Sequence, residues 1–110
     1  MESTQDTLIK WSIWNIKDKD LLNLLVAREG GRTTIRIIDK ILEKPFNKNQ
    51  LSKNLNLDYN TITYHINIIK SHEYITEEKF DKSCFYHPSE KLFKSIKEYN
   101  LVKEYLKNDK

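Results

Sequence analysis

Between residues 59 and 71, the apolar and polar positions follow the period of an α-helix. Ile62, Ile66 and Ile69 are spaced four and three residues apart, so they fall on one stripe that a core would bury. The opposite side of the predicted helix is polar but uncharged, and it is formed by Asn60, Thr63, Tyr64 and Asn67. An ordinary solvent-exposed side carries more lysine and glutamate. The pattern therefore predicts a helix with an outer side suited to polar recognition.

A shorter helical pattern precedes this one and predicts a helix-turn-helix. Asn47 is followed three residues later by Gln50, which is the pattern of a capping box at the start of a helix. The break between the two helices contains Asn56, which tolerates the left-handed conformation of a tight turn. Asp58 is a suitable N-cap for the second helix.

An N-terminal helix is predicted from Asp18, its N-cap, to Arg28, and the glycine pair Gly30-Gly31 is expected to end it. The next helix is predicted from about Thr33 to Glu43, because Pro45 prevents its continuation. This second helix is apolar on two sides. We expect its Ile37 and Ile41 side to meet the terminal helices or a second subunit.

Two extended runs follow, Tyr74–Glu77 and Cys84–His87, and the polar tip Lys79–Ser83 between them predicts a β-hairpin. Pro88 and Ser89 then open a last helix, predicted as one continuous element over Glu90–Lys107. Its apolar stripe consists of Leu92, Ile96, Tyr99, Val102 and Leu106. The fold class expected is mainly α with a small β-hairpin.

The composition is that of one domain with a mild basic excess. The chain has 110 residues, 38% of them hydrophobic, and a formal net charge of +3. Residues 31–72 hold seven Lys or Arg against three Asp or Glu, whereas residues 73–88 hold four acids against two lysines. The positive charge is thus concentrated on the predicted helix-turn-helix, where phosphate groups would be bound.

Several classes of function lack support in the sequence. Cys84 is the single cysteine, so no disulfide forms within the chain, and no signal peptide or membrane-spanning run is visible. We therefore expect a cytoplasmic protein. No catalytic motif, cofactor motif or metal-ligand spacing is present, so we expect no enzyme activity, no cofactor and no metal. His65 is interpreted as a half-buried residue that is hydrogen-bonded within the fold.

Residues 28–88, and above all the segment LNLDYNTITYHINII, resemble the ArsR-type winged helix-turn-helix regulators, particularly their small archaeal members. The resemblance implies a transcriptional regulator that binds double-stranded DNA on the nucleoid, usually as a homodimer. It also divides the chain into an N-terminal extension (1–30), a winged helix-turn-helix (31–88) and a C-terminal dimerisation helix (89–110). Asn56 and Glu73 replace glycines of the family pattern. Metal sensing is not implied, because Cys84 stands alone.

The outer side of the recognition helix, residues 59–71, has the chemistry for reading bases. Asparagine pairs with adenine through two hydrogen bonds, and a threonine methyl packs on a thymine methyl. The predicted base contacts are Asn60, Thr63, Tyr64 and Asn67, with Tyr59 beside them. The predicted phosphate contacts are Lys48, Lys53, Lys70, Arg32 and Arg36. A contact from Lys79 or Lys82 of the hairpin stays open, because acidic residues surround them.

Three alternatives bear on function and assembly. The acidic hairpin favours a winged helix that docks on protein, in a transcription or adaptor complex. Oxidation of Cys84 would make a redox-responsive switch, and a small-molecule effector stays unknown. Trp11 and Trp14 are expected to pack on the core or on a partner subunit, since their flanks lack the basic cluster of a membrane anchor. We expect a homodimer because the terminal helices would otherwise expose a large apolar patch.

Overall fold

The computed structural model describes residues 13–108, which form a helical body with one β-hairpin. The elements are α1 (Lys19–Leu25), α2 (Gly31–Glu43), α3 (Lys48–Leu55), α4 (Tyr59–Ser71), β1 (Ile75–Phe80), β2 (Ser83–Pro88), α5 (Glu90–Lys94) and α6 (Ile96–Asn108). Their order is that of a winged helix-turn-helix with additional terminal helices. The predicted fold class is therefore confirmed, and β1 and β2 together are called the wing.

Helix α2 lies at the centre of the core. Ile37, Ile38 and Ile41 have no exposed surface, because α1, α6 and the helix-turn-helix surround α2. The Tyr99 hydroxyl donates to Asp39 Oδ1 at 2.7 Å and lies 3.2 Å from the Ile35 carbonyl oxygen, so α6 is hydrogen-bonded to α2. The terminal helices thus cover the second apolar side of α2 within one chain.

That burial removes the reasoning from which we expected a dimer. The apolar residues of the terminal helices were expected to lie in water unless a second chain covered them. Most are buried in the core of a single chain: Leu21, Leu24, Leu25, Leu92, Tyr99 and Val102. Ile96 and Leu106 pack partly against the same core. Any dimer must therefore rely on the apolar side chains that stay exposed or partly exposed in one chain.

The glycine pair begins a helix instead of ending one. Helix α1 has the predicted N-cap, Asp18, but it ends at Leu25 instead of Arg28. Gly30 has φ 86° and is the N-cap of α2, which starts at Gly31. A Cβ atom on Gly31 would lie 1.9 Å from the Leu25 carbonyl oxygen. The close crossing of α1 and α2 therefore requires glycine, and the prediction misread this requirement as a helix stop.

The C-terminal helix is broken, contrary to the prediction of one continuous element. Ser89 caps α5 as expected, but the chain leaves the helical conformation at Ser95 and re-enters it at Ile96. At the break, the Ser95 hydroxyl donates to Asp18 Oδ2 at 2.6 Å. This contact spans 77 positions along the chain, so no local pattern could have indicated it.

The hairpin is longer than predicted and its tip is tighter. Six residues of each strand pair, from Ile75 with Pro88 to Phe80 with Ser83, and Asp81 at φ 57° forms the turn with Lys82. Phe46 adds a short third pairing, because its backbone exchanges hydrogen bonds of 3.3 and 2.9 Å with Tyr86. The wing is thereby joined to the segment between α2 and α3.

One tryptophan remains in solvent. Trp11 lies outside the described residues. Trp14 is 79% exposed, so it does not pack on the core, and the alternative, a contact with a partner subunit, stays a prediction. It borders an apolar groove of about 410 Å³ together with Leu22, Val26 and Tyr105. This groove lies on the terminal helices and is a large apolar surface left uncovered within residues 13–108.

Candidate nucleic-acid interface

The helix-turn-helix is fixed by the local signals that the sequence predicts. The capping box at the start of α3 is complete, with hydrogen bonds of 2.8 and 3.0 Å between Asn47 and Gln50. Asn56 takes the left-handed conformation at φ 54°. Asp58 is the N-cap of α4, and its carboxylate accepts a hydrogen bond from the backbone N–H of Asn60. The recognition helix therefore begins and ends where it was predicted, at Tyr59 and Ser71.

The outer side of α4 is open to solvent. Asn60, Tyr64 and Asn67 are exposed, Tyr64 by 60% of its surface. Within residues 13–108, the side-chain amides of Asn60 and Asn67 make no hydrogen bond to the protein. Thr63 differs from them, because its hydroxyl oxygen is buried and has no hydrogen-bond partner. Of the contacts predicted for Thr63, only the packing of its methyl group on a thymine methyl remains. The structure thus presents two free amides and a phenol on one side of the helix.

The inner side of α4 is held by a buried polar contact. His65 is 6% exposed, and its Nδ1 lies 3.1 Å from the Thr34 hydroxyl oxygen, which Arg28 also contacts at 2.8 Å. Burial and then the charge of Arg28 lower the pKa of His65, so the ring is neutral near pH 7. The interpretation of His65 as a hydrogen-bonded residue of the fold is confirmed, and its role is to join α4 to α2.

The five predicted phosphate contacts fall into two groups. Lys53 is exposed on α3, and Lys48 Nζ lies 6.0 Å from the centroid of the Tyr59 ring at the start of α4. These two lysines and Tyr59 belong to the helix-turn-helix surface. The other three cations have different positions or are engaged within the protein.

Lys70 and Arg36 make structural contacts that the sequence did not indicate. Lys70 Nζ pairs with Glu77 Oε1 at 3.3 Å and so links the last turn of α4 to the wing. Arg36 donates to the Leu55 carbonyl oxygen at 2.8 Å, at the C-terminal end of α3. Arg32 and Arg36 line a groove between α2 and α6 instead of the recognition surface. Lys70 and Arg36 thus each have a partner within the protein, and their contact with phosphate stays a prediction.

A polar cluster that the sequence did not reveal fixes the C-terminal end of α4. Asp20 pairs with His72, the C-cap residue of α4, at 2.7 Å and with Lys91 at 2.6 Å. Lys91 also donates to the His72 carbonyl oxygen at 2.7 Å. Burial raises the pKa of Asp20, but the hydrogen bonds from Lys91 and His72 outweigh burial and hold it below its usual value. Both terminal helical segments therefore position the recognition helix.

A second carboxylate, Asp18, completes this cluster. It accepts hydrogen bonds from the Tyr74 hydroxyl at 2.8 Å, from the Ser95 hydroxyl at 2.6 Å and from the Leu21 amide at 3.0 Å. Burial, and then the hydrogen bond to Asp18, raise the pKa of Tyr74, so its hydroxyl stays protonated as a donor. The cluster joins α1, the residues after α4 and the break between α5 and α6.

The two faces of the wing differ in character. Because side chains alternate along a strand, Glu77, Cys84 and Tyr86 lie on the face toward α3 and α4. Phe80 and Phe85 lie on the other face, with Phe80 70% exposed. Cys84 is a partly buried free thiol. Within residues 13–108, no three acidic, histidine or cysteine side chains are grouped so as to hold a metal ion. None of the helices in this part of the chain could span a bilayer.

Comparisons with known proteins identify the fold. No protein-family model matches the chain, and no curated protein matches it in sequence. Several solved structures are similar to it in fold. The transcriptional regulator BldR from Sulfolobus solfataricus superposes with a TM-score of 0.65 at 15% sequence identity, and the match covers 98% of this chain and 84% of BldR. Reduced HlyU from Vibrio cholerae gives 0.61 at 21% identity, over 82% and 90%.

MepR from S. aureus, whose structure was determined as a complex with DNA, gives a TM-score of 0.58 at 11% identity, over 96% of this chain and 87% of that one. Identities this low relate folds and do not assign a specific function. The helix order, the hairpin and these superpositions lead to the same conclusion. The chain has the winged helix-turn-helix fold found in transcriptional regulators.

Proposed function

We propose that the chain is a DNA-binding transcriptional regulator of the ArsR type, related to its small archaeal members, that acts in the cytoplasm on the nucleoid. The outer side of α4 is the main support for this proposal. It is the exposed side of the second helix of a helix-turn-helix, and it presents unpaired side-chain amides and no charge. Asn60, Tyr64 and Asn67 would contact base edges in the major groove. Lys48 and Lys53 would contact phosphates. The DNA complex of MepR, which shares the fold, supports DNA as the partner.

Selection of binding sites from a random duplex library tests the reading of bases. Asn60→Ala or Asn67→Ala should cost roughly 1–3 kcal/mol on the selected site and little on random duplex. Asn100→Ala is the matched control, since Asn100 is exposed on α6. If both α4 variants recover the wild-type motif with unchanged stringency, these asparagines do not read bases.

The proposed regulator is a homodimer that joins through the apolar groove on its terminal helices. A second copy would cover Trp14 and Val26, which are exposed, together with Leu22 and Tyr105. A two-fold axis would then supply a second recognition helix and predict an inverted-repeat site. Trp14→Glu combined with Val26→Glu should give folded monomers with weakened DNA affinity. Light scattering that shows the wild-type chain as a monomer at micromolar concentration would contradict the dimer.

A second candidate function is docking on another protein through the wing. Phe80 is 70% exposed and lines a small groove with Phe85 and Pro45, on the face of the wing that points away from α4. Exposed phenylalanines on a hairpin suit a protein surface better than a phosphate backbone. Phe80→Ser should leave DNA affinity unchanged under the first proposal. A chain that binds no duplex would favour the docking function.

A further inference from the structure

We infer that the groove between α2 and α6 is a docking site for an acidic amphipathic helix of another protein. The groove has a volume of about 340 Å³ and shares no residue with the apolar groove on the terminal helices. None of the predicted base contacts on α4 lines it. A partner bound there leaves the recognition surface and the proposed dimer surface open, and its binding does not require DNA.

Each wall of this groove presents two cations one helical turn apart. Arg32 and Arg36 are four residues apart on α2, and Lys103 and Lys107 are four residues apart on α6. Residues at this spacing lie on one side of a helix, with their Cβ atoms about 6 Å apart. Cations in pairs along both walls suit a ligand that has carboxylates along both of its edges better than a ligand with a single anionic group.

The carboxylate that lines the groove does not cancel this charge. Asp39 accepts a hydrogen bond from the Tyr99 hydroxyl at 2.7 Å and pairs with Lys103 Nζ at 2.8 Å. Arg36 donates from one guanidinium nitrogen to the Leu55 carbonyl oxygen at 2.8 Å, and its guanidinium has further N–H donors for a ligand. Among the lining residues, four cations against one carboxylate leave an excess of three positive charges. The groove therefore favours an acidic partner.

The apolar floor of the groove selects a helix as the acidic partner. It is formed by the buried side chain of Ile35 and by Leu106, which is partly exposed. A phosphate backbone has no apolar side with which to cover this floor. A second copy of the chain would bring its own cations against the same cations, which costs affinity. A helix with leucines on one side and glutamates on both flanks matches the floor and the two walls together.

A labelled model helix tests the docking site on the full chain. The probe is a synthetic peptide of about 15 residues, with leucines at helical spacing on one side and glutamates on both flanks. Its binding is followed by fluorescence anisotropy, and a control peptide has serine in place of each leucine and the same charge. We expect the leucine peptide to bind at micromolar concentration and the serine peptide to bind at least about tenfold more weakly. Equal affinities, or no binding of the leucine peptide, would overturn the inference.

Charge reversal locates the bound peptide on the protein. Arg32→Glu and Lys107→Glu, both at exposed positions, should each weaken binding of the leucine peptide by roughly three- to tenfold. Lys97→Glu is the matched control, because it makes the same change of charge on the exposed side of α6 without lining the groove. An equal loss for Lys97→Glu and Lys107→Glu would mean that the peptide responds only to net charge, and the docking site would be refuted.

Duplex DNA is the rival occupant, because Arg32 and Arg36 are also predicted phosphate contacts. We expect amide NMR spectra to show peptide-induced shifts at Ile35 and Leu106, and we expect added duplex to leave the peptide bound. Displacement of the peptide by duplex, with Arg32→Glu and Lys107→Glu weakening duplex binding more than Lys97→Glu, would assign the groove to phosphate and overturn the inference. Peptide binding at these positions by a chain that binds no duplex would support the docking site and contradict only the proposed DNA-binding function.

Discussion

Replacing Asp18 should destabilise the protein far more than replacing Asp58, although both aspartates cap a helix. Asp58 is exposed and accepts a hydrogen bond from the backbone N–H of Asn60, in the helix that it caps. Asp58→Ala should therefore cost about 1 kcal/mol for the lost cap. Asp18 also accepts the hydroxyls of Tyr74 and Ser95. Asp18→Ala leaves the buried Tyr74 hydroxyl without its acceptor, which adds roughly 1–3 kcal/mol. The expected total for Asp18→Ala is about 2–4 kcal/mol.

Urea denaturation of the single variants and of Asp18→Ala with Tyr74→Phe tests this value. In the Tyr74→Phe background, Asp18→Ala should cost roughly 1–2 kcal/mol less, because the orphaned hydroxyl is gone. Burial raises the pKa of Asp18, but the hydrogen bonds from Ser95 and Tyr74 outweigh burial and lower it. The stabilisation is therefore present above the unfolded-state pKa and is lost as pH falls below about 4. Equal costs for Asp18→Ala and Asp58→Ala at pH 7 would refute the reasoning.

Three further predictions concern single positions. Gly31→Ala should lower the free energy of unfolding by about 2 kcal/mol, because its Cβ would lie 1.9 Å from the Leu25 carbonyl oxygen. An unchanged melting temperature in thermal denaturation would contradict the close crossing of α1 and α2. Glu73→Gly should raise the free energy of unfolding by about 0.5–1 kcal/mol, because Glu73 has φ 67°, a left-handed conformation that glycine adopts without strain. A loss of stability would show that Glu73 is not strained in this conformation. Since the pKa of His65 is lowered in the fold, stability should fall as pH drops below about 6.5, and His65→Gln should weaken that dependence in urea titrations at pH 7 and pH 5.

Local signals made the helix-turn-helix predictable. The capping box at Asn47, the left-handed Asn56 and the N-cap Asp58 each act over three or four residues, and each has the predicted geometry. The isoleucine period of α4 placed Asn60 and Asn67 on the exposed side for the same reason. Sequence reasoning therefore gave the bounds of α4 and the fold class without tertiary information.

Several of the errors arise from contacts between distant segments. The break at Ser95 depends on Asp18, and the early start of α2 at Gly31 depends on the backbone at Leu25. The engagement of Lys70 by Glu77 likewise depends on how the wing meets α4. Composition and periodicity contain no information on such pairs, so the contacts of Lys70 and the apolar surface available for a dimer were not predicted.

The most direct test of the account is a titration of an AT-rich duplex with the protein at low and at moderate salt, followed by fluorescence anisotropy. The account predicts binding that weakens steeply as salt rises, because lysines displace counterions from phosphates. It also predicts that Lys53→Ala weakens binding to all duplexes, whereas Lys97→Ala, on the exposed side of α6, does not. No binding at the lowest salt, or an equal loss for Lys53→Ala and Lys97→Ala, would contradict the proposal that the helix-turn-helix surface binds DNA.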